Sequence, residues 1–174
     1  MTVRILLGAL FLTGALAWSA DLPRPATPLM FRSEQGETVK LEEQRGKVVA
    51  VLFFSTDCPH CQKTVEMLEG VYKEYKPRGV EILGIAVNPS AVMNLPEFVK
   101  QYNVAFPMGL GTSAQWTSFA GLAATARPYV PHLLLVDRQG RIVEDHPGLD
   151  REFWLDQEAK LREAFDRLLK KAAS

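Results

Sequence analysis

Val48-Val49-Ala50-Val51-Leu52-Phe53-Phe54-Ser55-Thr56-Asp57-Cys58-Pro59-His60-Cys61 is the stretch on which the reading of this chain turns. Val48 to Phe54 is a short, unbroken apolar run, rich in β-branched and aromatic residues, which predicts a buried strand. From Gln62 to Tyr75 the pattern changes. Val65, Leu68 (or Glu69), Tyr72 and Tyr75 recur at i, i+3/i+4 spacing, which predicts a helix. Cys58 and Cys61, the only cysteines in 174 residues, therefore lie where a strand ends and a helix begins. Unpaired N–H groups and the positive end of the helix dipole favour a thiolate at such a place. A strand, a Cys-x-x-Cys and a helix in that order point to thiol redox chemistry.

The rest of the composition narrows the class. Apolar residues make up 47% and charged residues 23% of a chain long enough for one domain with a sizeable core. The formal net charge is zero, so no basic field calls for a nucleic acid partner. The N-terminus reads differently from the remainder. Met1 to Arg4 is a short positive region, Ile5 to Ala17 is apolar, and Ala17-Trp18-Ser19 is a small-x-small site. Residues 1–20 are thus expected to be a signal peptide cleaved after Ser19 or Ala20, or else a retained membrane anchor. Extended to Ala20, the apolar stretch is still short against the ~20 residues of a membrane span. Either version puts the domain outside the cytoplasm, periplasmic or secreted, where a lone cysteine pair is catalytic or disulfide-bonded rather than idle.

Residues 21–28 carry Pro23, Pro25 and Pro28 and read as an extended lead-in. Leu29–Arg32 and Thr38–Leu41 flank Gln35-Gly36 as a small hairpin. After the helix, Val80 to Val87 is a second apolar strand, parallel to the first through the helical crossover. Leu95–Tyr102 reads as a short helix with Pro96 in its first turn, Val104–Met108 as an extended piece, and Ser113–Leu122 as a weak helix with Trp116, Phe119 and Leu122 on one side. Val130-Pro131 opens the strand His132–Val136, and Asp137–Gly140 turns it into Arg141–Val143, ending at Pro147-Gly148. One last helix is expected from about Glu152 to Lys170, with Trp154 (or Glu158), Leu161, Phe165, Leu168 and Leu169 as its apolar stripe.

This order resembles the thioredoxin fold: α/β, a central mixed β-sheet flanked by helices, here with an N-terminal β-hairpin and a central βα insert, over residues 29–172. More narrowly it resembles the extracytoplasmic TlpA/ResA-type branch. Phe53 to Cys61, Ile82 to Asn88 and Leu134 to Val143 are the stretches that carry the likeness. The Cys-Pro-His-Cys motif itself is similar to that of DsbA-type oxidases, as is Val before Pro131.

The resemblance implies a thiol–disulfide oxidoreductase whose catalytic pair is Cys58, the attacking sulfur, and Cys61, the resolving one. A four-residue loop removes too little chain entropy for these cysteines to serve well as a structural staple. Pro59 suits the first helical turn, and His60 places a donor and a part-time positive charge beside the sulfur. Both would tune the pair toward an oxidant. Val130, Pro131 and His132 would form a substrate-binding loop, with the Pro131 peptide bond cis. For His132, reaching the site and packing at the strand start stand as equal readings.

Three departures qualify the likeness. Leu52 stands where thioredoxin carries a buried carboxylate, Asp57 stands where an aromatic residue commonly precedes the first cysteine, and the long helical insert of DsbA is missing. Asp57 would oppose a thiolate unless it points to solvent. The expected partners are thiol- or disulfide-bearing proteins and an electron donor or acceptor protein, membrane-bound in one version. The chain is expected to act as a monomer with no cofactor beyond the redox-active disulfide and no metal.

Two other functions stay open. One is a peroxiredoxin-like peroxidase, although Thr56 lies two residues rather than three before Cys58. The other is a copper chaperone using Cys58, Cys61 and His132 or His60.

Overall fold

The computed structural model describes residues 21–170. The expected signal peptide or anchor at residues 1–20 lies outside the described residues, as do Lys171 and the three residues after it. None of the described helices is long and apolar enough to cross a membrane.

The apolar run forms β4 (Val48–Phe54), buried at every position. It pairs in parallel with β5 (Val80–Ala86) from Val48↔Val80 to Phe54↔Ala86, and antiparallel with β7 (His132–Val136) from Val49↔Val136 to Phe53↔His132. With β1 (Arg24–Pro25), β6 (Met108–Leu110) and β8 (Arg141–His146) these make a six-stranded mixed sheet in the order β1-β8-β7-β4-β5-β6. The hairpin β2 (Met30–Arg32) and β3 (Thr38–Lys40) forms a separate sheet, bridged to β6 through Ser33 and Gly109.

Alternation along β4 divides the core. Val48, Ala50, Leu52 and Phe54 face α1 (Pro59–Tyr75), α2 (Ala91–Gln101) and α5 (Gln157–Lys170). Val49, Val51 and Phe53 face the hairpin and α3 (Ser113–Ala120). A strand covered on both faces must be apolar throughout, which is why β4 lacks a polar face.

Several elements depart from the expectation. The lead-in is not merely a linker, because Arg24 and Pro25 pair with β8 at the sheet edge, where a proline removes no inner ladder bond. The extended piece lies later, at β6. The helix α2 starts at Ala91, a turn before Leu95, and carries Pro96 inside it. Val92, whose carbonyl Pro96 cannot serve, is 65% exposed and open to water. Leu122 does not join Trp116 and Phe119; Gly121 ends α3 in the left-handed region at φ 67° and leaves Leu122 exposed. The last helix is two: α4 (Arg151–Leu155) and α5, broken at Asp156.

Candidate redox site

The site is built by three chain segments that the sheet brings together. β4 delivers Ser55 to Cys58 at its C-terminal end. Because β7 runs antiparallel to β4 and begins opposite Phe53, the Val130-Pro131 peptide falls at that same end. That peptide is cis, as is Leu22-Pro23. Cys58 and Val130 both pack, partly buried, against the same apolar cluster.

Helix α1 begins earlier than the spacing alone indicates. Cys58 is its N-cap, with extended backbone (φ −92°, ψ 114°), and Pro59 takes the first helical position. The Cys58 side chain fills the role usually taken by a serine or aspartate: its Sγ accepts the Cys61 N–H at 3.4 Å. Gln62 closes the turn, donating its backbone N–H to the Cys58 carbonyl (3.0 Å) and its side-chain amide to the Thr56 carbonyl (2.9 Å).

The two thiols are free and unequal: Cys58 is partly exposed and Cys61 fully buried. Burial pushes the Cys61 thiol well above the ordinary cysteine value, and the neighbouring Cys58 adds to the rise. No carboxylate contributes to that shift, consistent with Leu52, fully buried, at the position of the missing acid.

His60 lies in the first turn of α1, inside the motif. Its ring is half-buried, edge-on to Trp154 with centroids 5.1 Å apart. Burial, and then the charge of Lys63, pull its pKa below the ordinary histidine value, so the neutral imidazole dominates at neutral pH. Trp154 is in turn fixed by its Nε1–H, which donates to the Pro147 carbonyl at 2.8 Å. A pocket of about 250 Å³ between His60, Gly148, Arg151, Trp154 and Leu155 lies beside the motif.

His132 follows the cis proline but does not reach the cysteines. It shares the face of Leu134 and Val136, opposite to α1, and is 1% exposed. The Trp116 Nε1–H donates to its Nδ1 (2.9 Å), and its Nε2 lies 2.5 Å from Asp145 Oδ1. An indole can only donate, so Nδ1 is the acceptor and the ring proton sits on Nε2 facing Asp145. Of the two readings, packing at the strand start describes its place. The loop before Pro131 is also held from outside. Gly148 donates to the Tyr129 carbonyl at 3.2 Å, and a Cβ at Gly148 would stand 2.6 Å from that oxygen.

Asp57 is exposed, and its side chain is bonded to the start of the neighbouring helix α2. Its carboxylate accepts from Ser90 Oγ, Asn88 Nδ2 (3.1 Å) and Asn94 Nδ2 (3.2 Å), on the loop and first turns of α2. These bonds, Ser90's first, hold it below the usual carboxylate range. The sequence carries no signal for them, since Asn88 and Ser90 look like ordinary turn residues.

The copper-binding alternative loses His132 as a ligand. Among the described residues no three His, Cys, Asp or Glu side chains gather as a metal site, and the His132 nitrogens are engaged by Trp116 and Asp145. The Thr56 hydroxyl meets Asn88 Nδ2 (2.8 Å) and Asp57 Oδ1 (3.4 Å).

A mixed sheet with a Cys-x-x-Cys at the head of its first long helix and a cis proline at the adjoining strand end defines a thioredoxin-fold dithiol protein. The chain belongs to the AhpC/TSA family, which its residues 21–145 match. It is 32% identical over 114 residues to the thiol-disulfide oxidoreductase ResA of Halalkalibacterium halodurans, covering 66% of this chain and 61% of that protein. It is 25% identical over 140 residues to ResA of Bacillus thuringiensis subsp. konkukian, covering 80% of this chain and 78% of that one. The crystal structure of a thiol:disulfide interchange protein of the thioredoxin family from Chlorobium tepidum superposes with a TM-score of 0.70 at 22% identity, over 86% of this chain and 99% of that one. That structural likeness speaks for the fold.

Proposed function

We propose that the protein is an extracytoplasmic thiol–disulfide oxidoreductase that exchanges disulfides with partner proteins through Cys58 and Cys61. The carrying observation is the asymmetry of the pair: a partly exposed sulfur at a helix N-cap and a buried thiol one turn behind it. In the reducing direction the Cys58 thiolate attacks a partner disulfide. A Cys58–partner S–S bond forms, and the partner's other sulfur leaves as a thiolate and takes a proton. The Cys61 thiol then gives its proton to water or to the leaving sulfur and attacks Cys58 Sγ. The partner is released as a dithiol, and the Cys58–Cys61 disulfide holds the oxidising equivalents. No carboxylate contributes to the raised pKa of Cys61, in line with water or the leaving sulfur taking that proton. Val130 offers backbone groups for an extended partner; exposed Tyr129 and Leu149 line one neighbouring pocket, and exposed Leu155 lines the pocket beside His60.

The favoured net direction is reduction of the partner. The resemblance to the TlpA/ResA branch supports this direction, and the lowered pKa of His60 is in line with it, since an oxidising disulfide needs a strongly stabilised thiolate in its reduced form. Location outside the cytoplasm rests on the apolar N-terminal sequence. Catalysed reduction of a disulfide-bonded peptide by dithiothreitol, lost in Cys58→Ala, tests the activity. Equilibration with glutathione buffers tests the direction. A pair as oxidising as about −120 mV would overturn the reductase assignment.

A further inference from the structure

Asp57 sits next to the attacking cysteine, and a carboxylate there ought to hinder a thiolate. The structure gives it a different task. Asp57 and Thr56 are joined to the loop between β5 and α2 by an interlocking set of bonds. The Thr56 N–H donates to Asn88 Oδ1 (3.0 Å), and Asn88 Nδ2 lies within reach of Thr56 Oγ1 (2.8 Å), Ser90 Oγ (2.7 Å) and Asp57 Oδ2 (3.1 Å). Ser90 Oγ and Asn94 Nδ2 donate to the two oxygens of Asp57. These partners are 31 to 37 residues away in sequence, so the bonds tie two elements together rather than shaping one turn.

The joined segment is the one that sets the N-cap. Ser55 to Cys58 is a tight turn: the Cys58 N–H donates to the Ser55 carbonyl (3.3 Å), and the Asp57 N–H to Ser55 Oγ (3.2 Å). If this turn shifts, Cys58 Sγ leaves the Cys61 N–H and the end of α1.

We propose that Asp57 is a positioning residue for the redox pair: its carboxylate, clasped by Ser90, Asn88 and Asn94, fixes the turn that holds Cys58 as the N-cap of α1. The proposal rests on the exchange reading of Cys58 and adds a separate claim about what holds that cysteine in place.

A charge effect and a positioning effect have opposite signs, which makes the claim testable. The probe is the iodoacetamide alkylation rate of Cys58 at neutral pH in a Cys61→Ala background, which needs no protein partner. Positioning predicts that Asp57→Ala slows alkylation by roughly threefold or more, the scale of one lost hydrogen bond. Ser90→Ala, which removes no charge, should slow it in the same direction. Asp57→Asn, able to keep bonds to Ser90 and Asn94, should stay close to the parent. The Asp57→Ala/Ser90→Ala double variant should be no slower than Asp57→Ala alone.

Charge alone predicts the reverse: Asp57→Ala and Asp57→Asn both faster, and Ser90→Ala unchanged. That outcome overturns the proposal. Circular dichroism of each variant identifies any that fail to fold, and Ser90→Ala then carries the test. Should peptide reduction fail in the wild type while the positioning pattern of alkylation holds, the exchange reading falls and the positioning claim stands. Should peptide reduction succeed while alkylation follows the charge pattern, the positioning claim falls and the exchange reading stands.

Discussion

Replacing Trp116 with Phe should loosen the protein beneath the Pro131 loop, and the size of the effect follows from what the indole leaves behind. Trp116 is 6% exposed and its partner His132 1%. Phe at this place can keep the stack on Phe53, whose ring lies 5.9 Å from the indole at 18°. It cannot donate to His132 Nδ1, which stays buried with no partner. Such a group costs about 1–3 kcal/mol, and the smaller ring adds a packing loss. A double-mutant cycle separates the two. In a His132→Leu background there is no Nδ1 to strand, and Trp116→Phe also removes the indole N–H that His132→Leu leaves unpaired, so it should cost less than the packing part. The coupling between the positions counts both stranded groups, at about 1–3 kcal/mol each, and is therefore expected at about 2 kcal/mol or more. Urea unfolding of the four proteins, followed by far-ultraviolet circular dichroism, gives it directly. A coupling below about 0.5 kcal/mol would refute the account in which the Trp116–His132–Asp145 chain anchors the start of β7.

Other expectations are equally specific. Gly109→Ala should destabilise by about 1–3 kcal/mol in urea unfolding, as overpacking does, because the new Cβ would lie 2.3 Å from the Arg32 carbonyl oxygen. A wild-type midpoint would mean that the hairpin does not press on β6 as described. His146 is pulled down by burial, but its bonds to Glu144 and Asp150 outweigh this and leave its pKa raised. Its contribution to stability should be complete below the ordinary histidine value of about 6.5 and decline as pH rises through the raised one. His146→Gln should flatten that decline in urea midpoints measured across the range, and an equally steep decline in the variant would assign it to other groups.

The elements legible in the sequence were those whose burial leaves a strong pattern. β4 is a continuous apolar run, and β5 and β7 are nearly so apart from Glu81 and His132, because both faces are covered, and α1 shows its stripe because one face meets the sheet. The Cys58–Cys61 pair was legible for the same reason: its flanks are unmistakable. Short edge pieces were not. Met108-Gly109-Leu110 and Arg24-Pro25 carry too few residues to show alternation, and pairing with β5 and β8 decides their state. The start of α2 was hidden because Val92 and Met93, 65% and 80% exposed, break the apolar pattern there. Within the site, the roles of His60, Asp57 and His132 depended on Trp154, Ser90 and Trp116, partners that only the folded chain brings near.

The central claim is that Cys58 attacks and Cys61 resolves. It is tested most directly by incubating the Cys61→Ala variant with a disulfide-bonded model peptide and determining the mass and site of any adduct. The account predicts a one-to-one mixed disulfide on Cys58 that persists in the variant, is only transient in the wild type, and is released by dithiothreitol. No adduct on Cys58, or one that lasts as long in the wild type as in the variant, would contradict it.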